Sequence, residues 1–154
     1  MRLIIAGSRE FKDGFLFDKK LRELIAKQQW KVTEIVSGGC RGVDRMAEEF
    51  AARQGISCHV MKATWGTYGR SAGPIRNQEM AKYAAQDNGA LVCFWDGASP
   101  GTRSMITEAA ALFLPVHVIE IEIVAPRKRP AMRGLPHLGW QPKLGETNKK
   151  VVKK

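Results

Sequence analysis

The sequence predicts an α/β fold, a doubly wound parallel sheet of about five strands with helices on both faces. Short, unbroken apolar runs alternate along the chain with longer segments in which apolar residues recur at helical spacing. Such runs are typical of parallel strands that are covered on both faces. Most of the strand-to-helix connections are glycine-rich. Because strands and helices alternate, we expect right-handed crossovers and one continuous sheet.

The first half of the chain contains two predicted strands and two predicted helices. Residues 3–6 form the first strand, which ends at Gly7-Ser8-Arg9, and residues 34–36 form the second, which runs into the segment SGGCRGVD. The predicted core faces of the two helices are Phe17, Leu21, Leu24, Ile25 and Gln28 in the first, and Val43, Met46, Ala47, Phe50 and Ala51 in the second. We expect Gly55 to end the second helix.

The second half of the chain contains three predicted strands, over residues 56–62, 90–95 and 116–124. Pro74 suits the first turn of a helix that runs to about residue 86. We expect Thr102 to open the last helix, whose predicted apolar face is Met105, Ile106, Ala109, Ala110 and Phe113. In the fifth strand the apolar phase shifts between Val118 and Ile119, which predicts a bulge or an edge position.

Charge divides the chain into a folded domain, residues 1–124, and a basic tail, residues 125–154. The net charge of the whole chain is +10, but the basic tail holds nine Lys or Arg and one acid, a net charge of +8. Its four prolines and its RKR and KK runs predict an extended or partly disordered segment. The basic tail is a candidate for nonspecific contacts with nucleic acid, whereas the nearly neutral folded domain need not bind a polyanion.

Composition excludes several classes of protein. The hydrophobic content of 44% is that of a globular chain, and no apolar run is long enough to span a membrane. The first residues are too short for a signal peptide, so we expect a cytoplasmic protein without a membrane partner. The three cysteines are odd in number and form no CxxC pair, which argues against a disulfide framework and a zinc site.

The segment SGGCRGVD after the second strand is the strongest local signal. Its glycines allow a ligand close to the backbone, and the helix that follows presents unpaired N–H groups, so an anion is the expected guest. The predicted phosphate-binding residues are Ser37, Gly38, Gly39, Arg41 and Gly42. Asp44 either caps the helix or binds a ribose hydroxyl. The alternative interpretation is a tight turn, and neither GxGxxG nor GxxxxGK[ST] is present.

A second candidate region opens the helix after Gly73-Pro74. Arg76 lies in its first turn, where an arginine opposes the helix dipole. A contact to a phosphate or a base edge, made with the help of Asn77, explains this position; a surface salt bridge is the alternative. Trp65 and Tyr68 in the preceding loop either stack on a nucleobase or close the top of the core. For Trp95, at the end of the fourth strand, we expect a position in the core.

The loop DGASPGT after the fourth strand predicts a second anion cradle. Its predicted members are Gly97, Gly101, Thr102 and Arg103, and Gly7, Ser8 and Arg9 are predicted to line the floor of the same site. Glu108, further along the helix, is either functional or a solvated helix residue. The three histidines have no ligand spacing, so we expect no metal site and no cofactor.

Together, the segments GSR, SGGCRGVD, WGTYGRSAGPIRNQEM and GASPGTRSM resemble the YspA-like branch of the SLOG superfamily, which includes relatives of the DNA-processing protein DprA and the Lonely Guy phosphoribohydrolases. The resemblance covers roughly residues 2–119, and AGPIRN is its most specific part. It implies a Rossmann-like fold that binds a nucleotide-derived ligand of the NAD or ADP-ribose type. Lonely Guy enzymes build sites across dimers, which implies a homo-oligomer.

The resemblance also brings a catalytic alternative. Lonely Guy enzymes cleave the N-glycosidic bond of nucleoside monophosphates with a PGGxGTxxE segment and an upstream arginine. Here Gly101-Thr102 matches GT and Arg76 is the candidate arginine, but Met105 occupies the glutamate position. Glu108 and Asp44 are then the candidate catalytic acids. Three hypotheses follow: a sensor or sequestering protein for a nucleotide derivative, which we favour; a nucleotide N-glycosidase; and a DprA-like nucleic-acid binder that uses the basic tail.

Overall fold

The computed structural model describes residues 1–124 and confirms a Rossmann-like α/β fold. Its five parallel strands lie in the order β3-β2-β1-β4-β5, with β1 at Arg2–Gly7, β2 at Glu34–Ser37, β3 at Ser57–Val60, β4 at Ala90–Trp95 and β5 at Val116–Glu120. The helices are α1 at Gly14–Gln28, α2 at Val43–Gln54, the short α3 at Trp65–Tyr68, α4 at Ala72–Ala85 and α5 at Pro100–Ala111. A 3-10 turn over Gly69–Ser71 joins α3 to α4.

The alternation of side chains along the central strand explains why helices cover both faces of the sheet. Leu3 and Ile5 of β1 point into a core formed with α1 and α2, whereas Ile4 and Ala6 point into a second core formed with α4 and α5. In the first core the ring of Phe17 lies 4.8 Å from the ring of Phe94, centroid to centroid. Both faces of β1 are therefore buried, as its apolar run predicts.

The structure confirms some of the predicted ends of helices and strands and corrects others. Gly55 ends α2 with a left-handed φ of 66°, as expected. β5 is an edge strand, and its register with β4 is continuous, so the phase shift reflects the edge position and not a bulge. The strand ends at Glu120 instead of residue 124, and α5 begins at Pro100, before Thr102. Pro100 fits there because proline suits the first turn of a helix.

Three sequence predictions for side chains are wrong. Phe113 does not belong to the apolar face of α5, because it lies beyond the end of that helix with a φ of 59° and is 94% exposed. Gln28 is exposed and not part of the core face of α1. Trp95 is only half-buried; its indole N–H donates to the Ser99 carbonyl oxygen at 3.1 Å. In each case the residue stands at the end of its element, where periodicity no longer dictates burial.

The strand order places the topological switch point between β1 and β4, which pair at the centre of the sheet. The chain leaves these two strands toward opposite faces, so their loops diverge and open a crevice at the carboxyl edge. No helix within residues 1–124 is long and apolar enough to cross a membrane. The predicted extended conformation of the basic tail lies outside the described residues.

Candidate ligand-binding site

A cavity of about 450 Å³ opens at the carboxyl edge of the sheet, beside the switch point. Segments that follow β1, β2, β3 and β4 all contribute to its wall. The lining residues are Ala6, Gly7, Arg9, Gly38, Cys40, Asp44, Trp65, Arg70, Gly73, Pro74, Arg76, Asn77, Met80, Ser99, Pro100, Gly101, Thr102, Ser104 and Met105. Nine of the sixteen residues predicted to bind the ligand are therefore brought together in this one cavity.

Three helices begin at the cavity. The first turns of α2, α4 and α5 contribute Asp44, Gly73 and Gly101 to its wall. None of these three helices has a side-chain hydrogen bond at its N-cap, whereas α1 is capped by Asp13, whose carboxylate accepts the Leu16 N–H at 3.0 Å. The first N–H groups of α2 and α4 donate to backbone carbonyl oxygens, Val43 to Ser8 and Ala72 to Gly69. The partial positive charge that each helix N-terminus carries nevertheless favours an anion in the cavity.

Gly42 fixes the loop after β2 against the loop after β1. Its φ is +78°, and a Cβ at this position would lie 2.6 Å from the Arg9 carbonyl oxygen. The next residue, Val43, donates its N–H to the Ser8 carbonyl oxygen at 3.2 Å. Only glycine permits both this backbone conformation and this close approach. Gly42 therefore shapes the cavity without lining it.

Gly38 lies against the two buried charged side chains of the cavity. A Cβ on Gly38 would lie 2.7 Å from Nη1 of Arg76 and 2.8 Å from Oδ2 of Asp44. The guanidinium and the carboxylate therefore both occupy the space that a larger residue would need. Gly38 therefore has a physical role in the SGGCRGVD segment: the absence of a side chain allows two charged groups to pack beside the loop.

Arg76 and Asn77 form a chain of hydrogen bonds across the site. Arg76 is 9% exposed; its Nη1 donates to the Gly38 carbonyl oxygen at 2.5 Å and its Nε to Oδ1 of Asn77 at 3.0 Å. Nδ2 of Asn77 donates to the Gly101 carbonyl oxygen at 3.3 Å and to Oγ of Ser104 at 3.1 Å. Arg76 forms no ion pair with residues 1–124, so the predicted surface salt bridge is not what holds it.

Asp44 is the carboxylate of the cavity. It is 7% exposed, and Oδ2 accepts the Cys40 N–H at 3.2 Å. Burial raises the pKa of Asp44 to about 6; the hydrogen bond from Cys40 and the positive charge of Arg76 oppose that rise, and Glu48 adds to it. Oδ1 accepts no hydrogen bond from residues 1–124, although no fully buried polar side-chain atom among them lacks a partner. Oδ1 is therefore accessible from the cavity.

Two exposed arginines complete the positive wall. Arg9 and Arg70 line the cavity, and within residues 1–124 neither side chain forms an ion pair or a hydrogen bond. Sequence reasoning named Arg9 but missed Arg70, although Arg70 lies between Tyr68 and Gly73 in the segment that resembles the family. Cys40, Ser99 and Ser104 also line the cavity without having been singled out.

Trp65 forms one side of the cavity mouth. It is 49% exposed, and Cη2 of its indole would lie 3.3 Å from a Cβ on Gly73. One part of the indole therefore packs on the start of α4 while much of the ring stays accessible. Tyr68 is 53% exposed and does not line the cavity. Neither aromatic residue is buried in the core.

The remaining predicted residues lie around the cavity and not in its wall. The Ser8 N–H donates to the Phe94 carbonyl oxygen, and the Ser37 hydroxyl donates to Glu48 at 2.9 Å. Gly39 has a φ of +71° and Gly97 a φ of +80°, which are turn conformations. Arg41 is exposed and pairs with Glu10, whose pKa it lowers through a hydrogen bond and its charge. The Arg103 guanidinium lies 5.7 Å from the centroid of the Trp95 ring.

The two candidate catalytic acids differ in position. Asp44 lines the cavity, whereas Glu108 is a half-buried residue of α5 outside the lining set. Met105, which takes the glutamate position of the Lonely Guy segment, does line the cavity and is 1% exposed. Thr102, also lining the cavity, donates its hydroxyl to Oγ of Ser99 at 3.3 Å. Residues 1–124 contain no group of three or more His, Cys, Asp or Glu that could hold a metal ion.

Comparison with known proteins places this architecture in a family. The family model for the YspA, cpYpsA-related SLOG family matches residues 1–68, which include β1, β2 and the glycine loops that follow them. The chain is also similar to the Gene 61 protein of Mycobacterium phage D29, with 34% identity over 120 residues that cover 75% of this chain and 93% of the phage protein. The chain therefore belongs to the YspA, cpYpsA-related SLOG family.

Proposed function

We propose that the protein binds a phosphate-bearing, nucleotide-derived ligand of the nucleotide, ADP-ribose or NAD type in this cavity, and that it acts as a sensor or sequestering protein. The observation that carries this function is the convergence of the uncapped N-termini of α2, α4 and α5 on one cavity. Helix N-termini that share a cavity attract an anion, and phosphate is the anion whose oxygens match several N–H donors at once.

Charge and size support the same ligand class. Arg9 and Arg70 face the cavity without a carboxylate partner among residues 1–124, so a bound phosphate would supply the missing counter-charge. The cavity volume of about 450 Å³ falls within the range of roughly 300–1,000 Å³ that small-molecule sites occupy. Membership of a SLOG family suggests a nucleotide-related ligand.

Calorimetric titration of the full chain with AMP, ADP-ribose and NAD tests this function. We expect saturable binding of at least one of them, and Arg70→Ala should weaken it about tenfold, because a charge-assisted hydrogen bond to phosphate is lost. Arg45→Ala is the matched control, since Arg45 is exposed on α2 and pairs with Glu49 away from the cavity. Absence of binding by all three compounds, or equal losses in the two variants, contradicts the proposed site.

A nucleotide N-glycosidase is the second candidate function, and the position of Asp44 is the observation that favours it. Glycosidic cleavage requires a carboxyl group near the ribosyl carbon, and an acid with a pKa of about 6 can exchange a proton near neutral pH. Glu108 is a weaker candidate because it does not line the cavity. Binding without catalysis remains the preferred function, because Met105 occupies the position at which the Lonely Guy enzymes have a glutamate.

Chromatography after incubation with nucleoside monophosphates, NAD and ADP-ribose separates the two functions. Binding without release of a free base supports the sensor or sequestering protein. Release that is lost in Asp44→Asn and kept in Glu108→Gln supports an enzyme with Asp44 as its acid. Release that is lost only in Glu108→Gln assigns that role to Glu108 and requires a ligand position that the present cavity does not provide.

A further inference from the structure

Asp44 brings a hydrogen-bond acceptor into a cavity whose other charged groups are all positive. Among the lining residues in the described part of the chain, it is the one acid beside Arg9, Arg70 and Arg76. In a site that binds only phosphate, a carboxylate would weaken binding, because the negative charge of the carboxylate repels the ligand. The ligand should therefore carry a hydrogen-bond donor in addition to its anionic oxygens.

The orientation of the carboxylate is fixed by the protein. Oδ2 accepts the Cys40 N–H at 3.2 Å, and the side chain is more than nine-tenths buried against the loop that contains Gly38. Oδ1, which has no donor among residues 1–124, is the oxygen that remains accessible from the cavity. Because Oδ1 is accessible and has no donor in this part of the chain, it is free to accept a hydrogen bond from a ligand without the loss of a contact within the protein.

The charges around Asp44 select the kind of donor. Arg76 and Arg9 lower its pKa and Glu48 raises it, but Glu48 does not line the cavity. A cationic ammonium group at Oδ1 would therefore meet the two positive neighbours that do. A metal ion would have one carboxylate, and residues 1–124 offer no cluster of three ligands. A neutral hydroxyl donor avoids both difficulties, and a sugar hydroxyl is the donor that lies nearest to phosphate in a nucleotide.

We propose that Asp44 accepts a hydrogen bond from a ribose hydroxyl of the ligand, so that the site selects ribonucleotide derivatives over their deoxy counterparts. This inference rests on the proposed function, which supplies the phosphate-bearing ligand, and it adds the sugar specificity. Arg9, Arg70 and the helix N-termini bind the phosphate, and Asp44 accepts the hydrogen bond from the sugar. Asp44 is then a specificity-determining residue and not a phosphate ligand.

The test compares AMP, 2′-deoxy-AMP and 3′-deoxy-AMP by calorimetry at pH 8, where Asp44 is ionised. We expect at least one deoxynucleotide to bind about tenfold more weakly than AMP to the wild-type chain, since a hydrogen bond to a charged acceptor is lost. In Asp44→Ala this discrimination should fall below about threefold, because the acceptor is gone. Glu49→Gln is the matched control: it removes an exposed carboxylate from the same helix and should leave the discrimination unchanged.

The ratio of affinities distinguishes recognition from a merely structural role, which would weaken all three nucleotides equally. Equal binding of AMP and both deoxynucleotides to the wild-type chain overturns the inference, and so does discrimination that survives in Asp44→Ala. If Asp44→Ala does not fold, Asp44→Asn serves instead, and its discrimination should fall because a neutral acceptor binds a hydroxyl more weakly. Absence of AMP binding also overturns the inference, while the proposed function stands if ADP-ribose or NAD binds.

Discussion

Nη1 of Arg76 donates a 2.5 Å hydrogen bond to the carbonyl oxygen of Gly38, and this contact ties the second turn of α4, not its first turn as the sequence predicts, to the loop after β2. The two segments are 38 residues apart in sequence. The same guanidinium continues through Nε to Asn77, which in turn holds the start of α5. Arg76 therefore joins three of the segments that form the cavity.

This arrangement predicts different results for two arginines of the cavity. Arg76→Ala should lower the free energy of unfolding by roughly 1.5–3 kcal/mol, because the buried Gly38 carbonyl and Asn77 lose a charged donor. It should also weaken ligand binding, since the loops around the cavity lose a connection. Arg70→Ala should weaken binding alone, because Arg70 is exposed and has no protein partner within residues 1–124. Urea unfolding and calorimetry measure the two effects.

Arg41→Ala serves as a comparison for both variants. Arg41 is exposed, pairs with Glu10 and does not line the cavity, so we expect little change in unfolding and a small loss of affinity. A tenfold loss of affinity in Arg41→Ala would restore it as a phosphate ligand of the SGGCRGVD loop. Unchanged stability in Arg76→Ala would show that its hydrogen bonds to the loops are not needed for the fold.

The sequence was informative where a residue's role follows from its immediate neighbours. The unbroken apolar runs of β1 and β4 predict buried parallel strands, and the glycine-rich segments predict the loops at their carboxyl edge. Gly55 was recognisable as a helix end because a glycine follows a run with helical periodicity. All of these depend on local backbone geometry, which residue type and spacing largely determine.

The sequence was less informative where a role depends on contacts between distant segments. Arg76 was recognisable as unusual, but not as a buried donor to Gly38, because that contact requires the sheet to bring two loops together. Arg70 was missed because one exposed arginine in a loop has no local signature. Phe113 was assigned to the core on periodicity, although the helix ends before it. Such errors arise when tertiary context overrides the local pattern.

The close contacts of Gly38 predict that it cannot be replaced by alanine. A Cβ would lie within 3 Å of both Arg76 and Asp44, so Gly38→Ala should displace two buried charged groups and reduce both stability and affinity. We expect a loss of roughly 1–3 kcal/mol in the free energy of unfolding, measured with urea. Gly14→Ala at the start of α1 is the control, because a Cβ there meets nothing within 4 Å. Equal stability of the two variants would contradict the close packing at Gly38.

The exposed indole of Trp65 predicts a contribution to binding that depends on the base. Trp65→Ala should weaken AMP binding several-fold to about a hundredfold, because stacking on an aromatic side chain contributes roughly 1–3 kcal/mol per base. Binding of ribose 5-phosphate, which has no base, should change little. Tyr68→Ala is the control, since Tyr68 is similarly exposed but does not line the cavity. Equal losses for AMP and ribose 5-phosphate would assign Trp65 to shaping the cavity instead.

The charge of the basic tail predicts salt-sensitive binding of nucleic acid. Residues 125–154 carry a net charge of +8, and Lys and Arg bind phosphates with release of counterions. A chain that ends at residue 124 should lose any nonspecific binding of DNA or RNA that the full chain shows at low salt. Electrophoretic mobility shifts at two salt concentrations measure this difference. Salt-resistant DNA binding by the shortened chain would favour the DprA-like function over the one proposed here.

Asp44 predicts a dependence of stability on pH. Burial raises its pKa from 3.8 to about 6, so between these values the folded protein holds a proton that the unfolded chain has released. The native state is therefore disfavoured as the pH rises through 6, by roughly 3 kcal/mol once Asp44 is fully ionised. Glu10 and Asp96, whose pKa values are lowered by hydrogen bonds, act in the opposite direction and lose their contributions as the pH falls.

Comparison with Asp44→Asn isolates the effect of Asp44, because Glu10 and Asp96 contribute equally to both proteins. The asparagine oxygen can still accept the Cys40 N–H, but the side chain does not ionise. Between pH 8 and pH 5 the wild-type chain should therefore gain roughly 1–1.5 kcal/mol of stability relative to Asp44→Asn, since Asp44 becomes protonated in the folded state over this range. Urea unfolding at the two pH values measures the difference. Parallel pH dependence of the two proteins would mean that Asp44 is ionised in the folded state at pH 5, and that the hydrogen bond from Cys40 and the charge of Arg76 outweigh its burial.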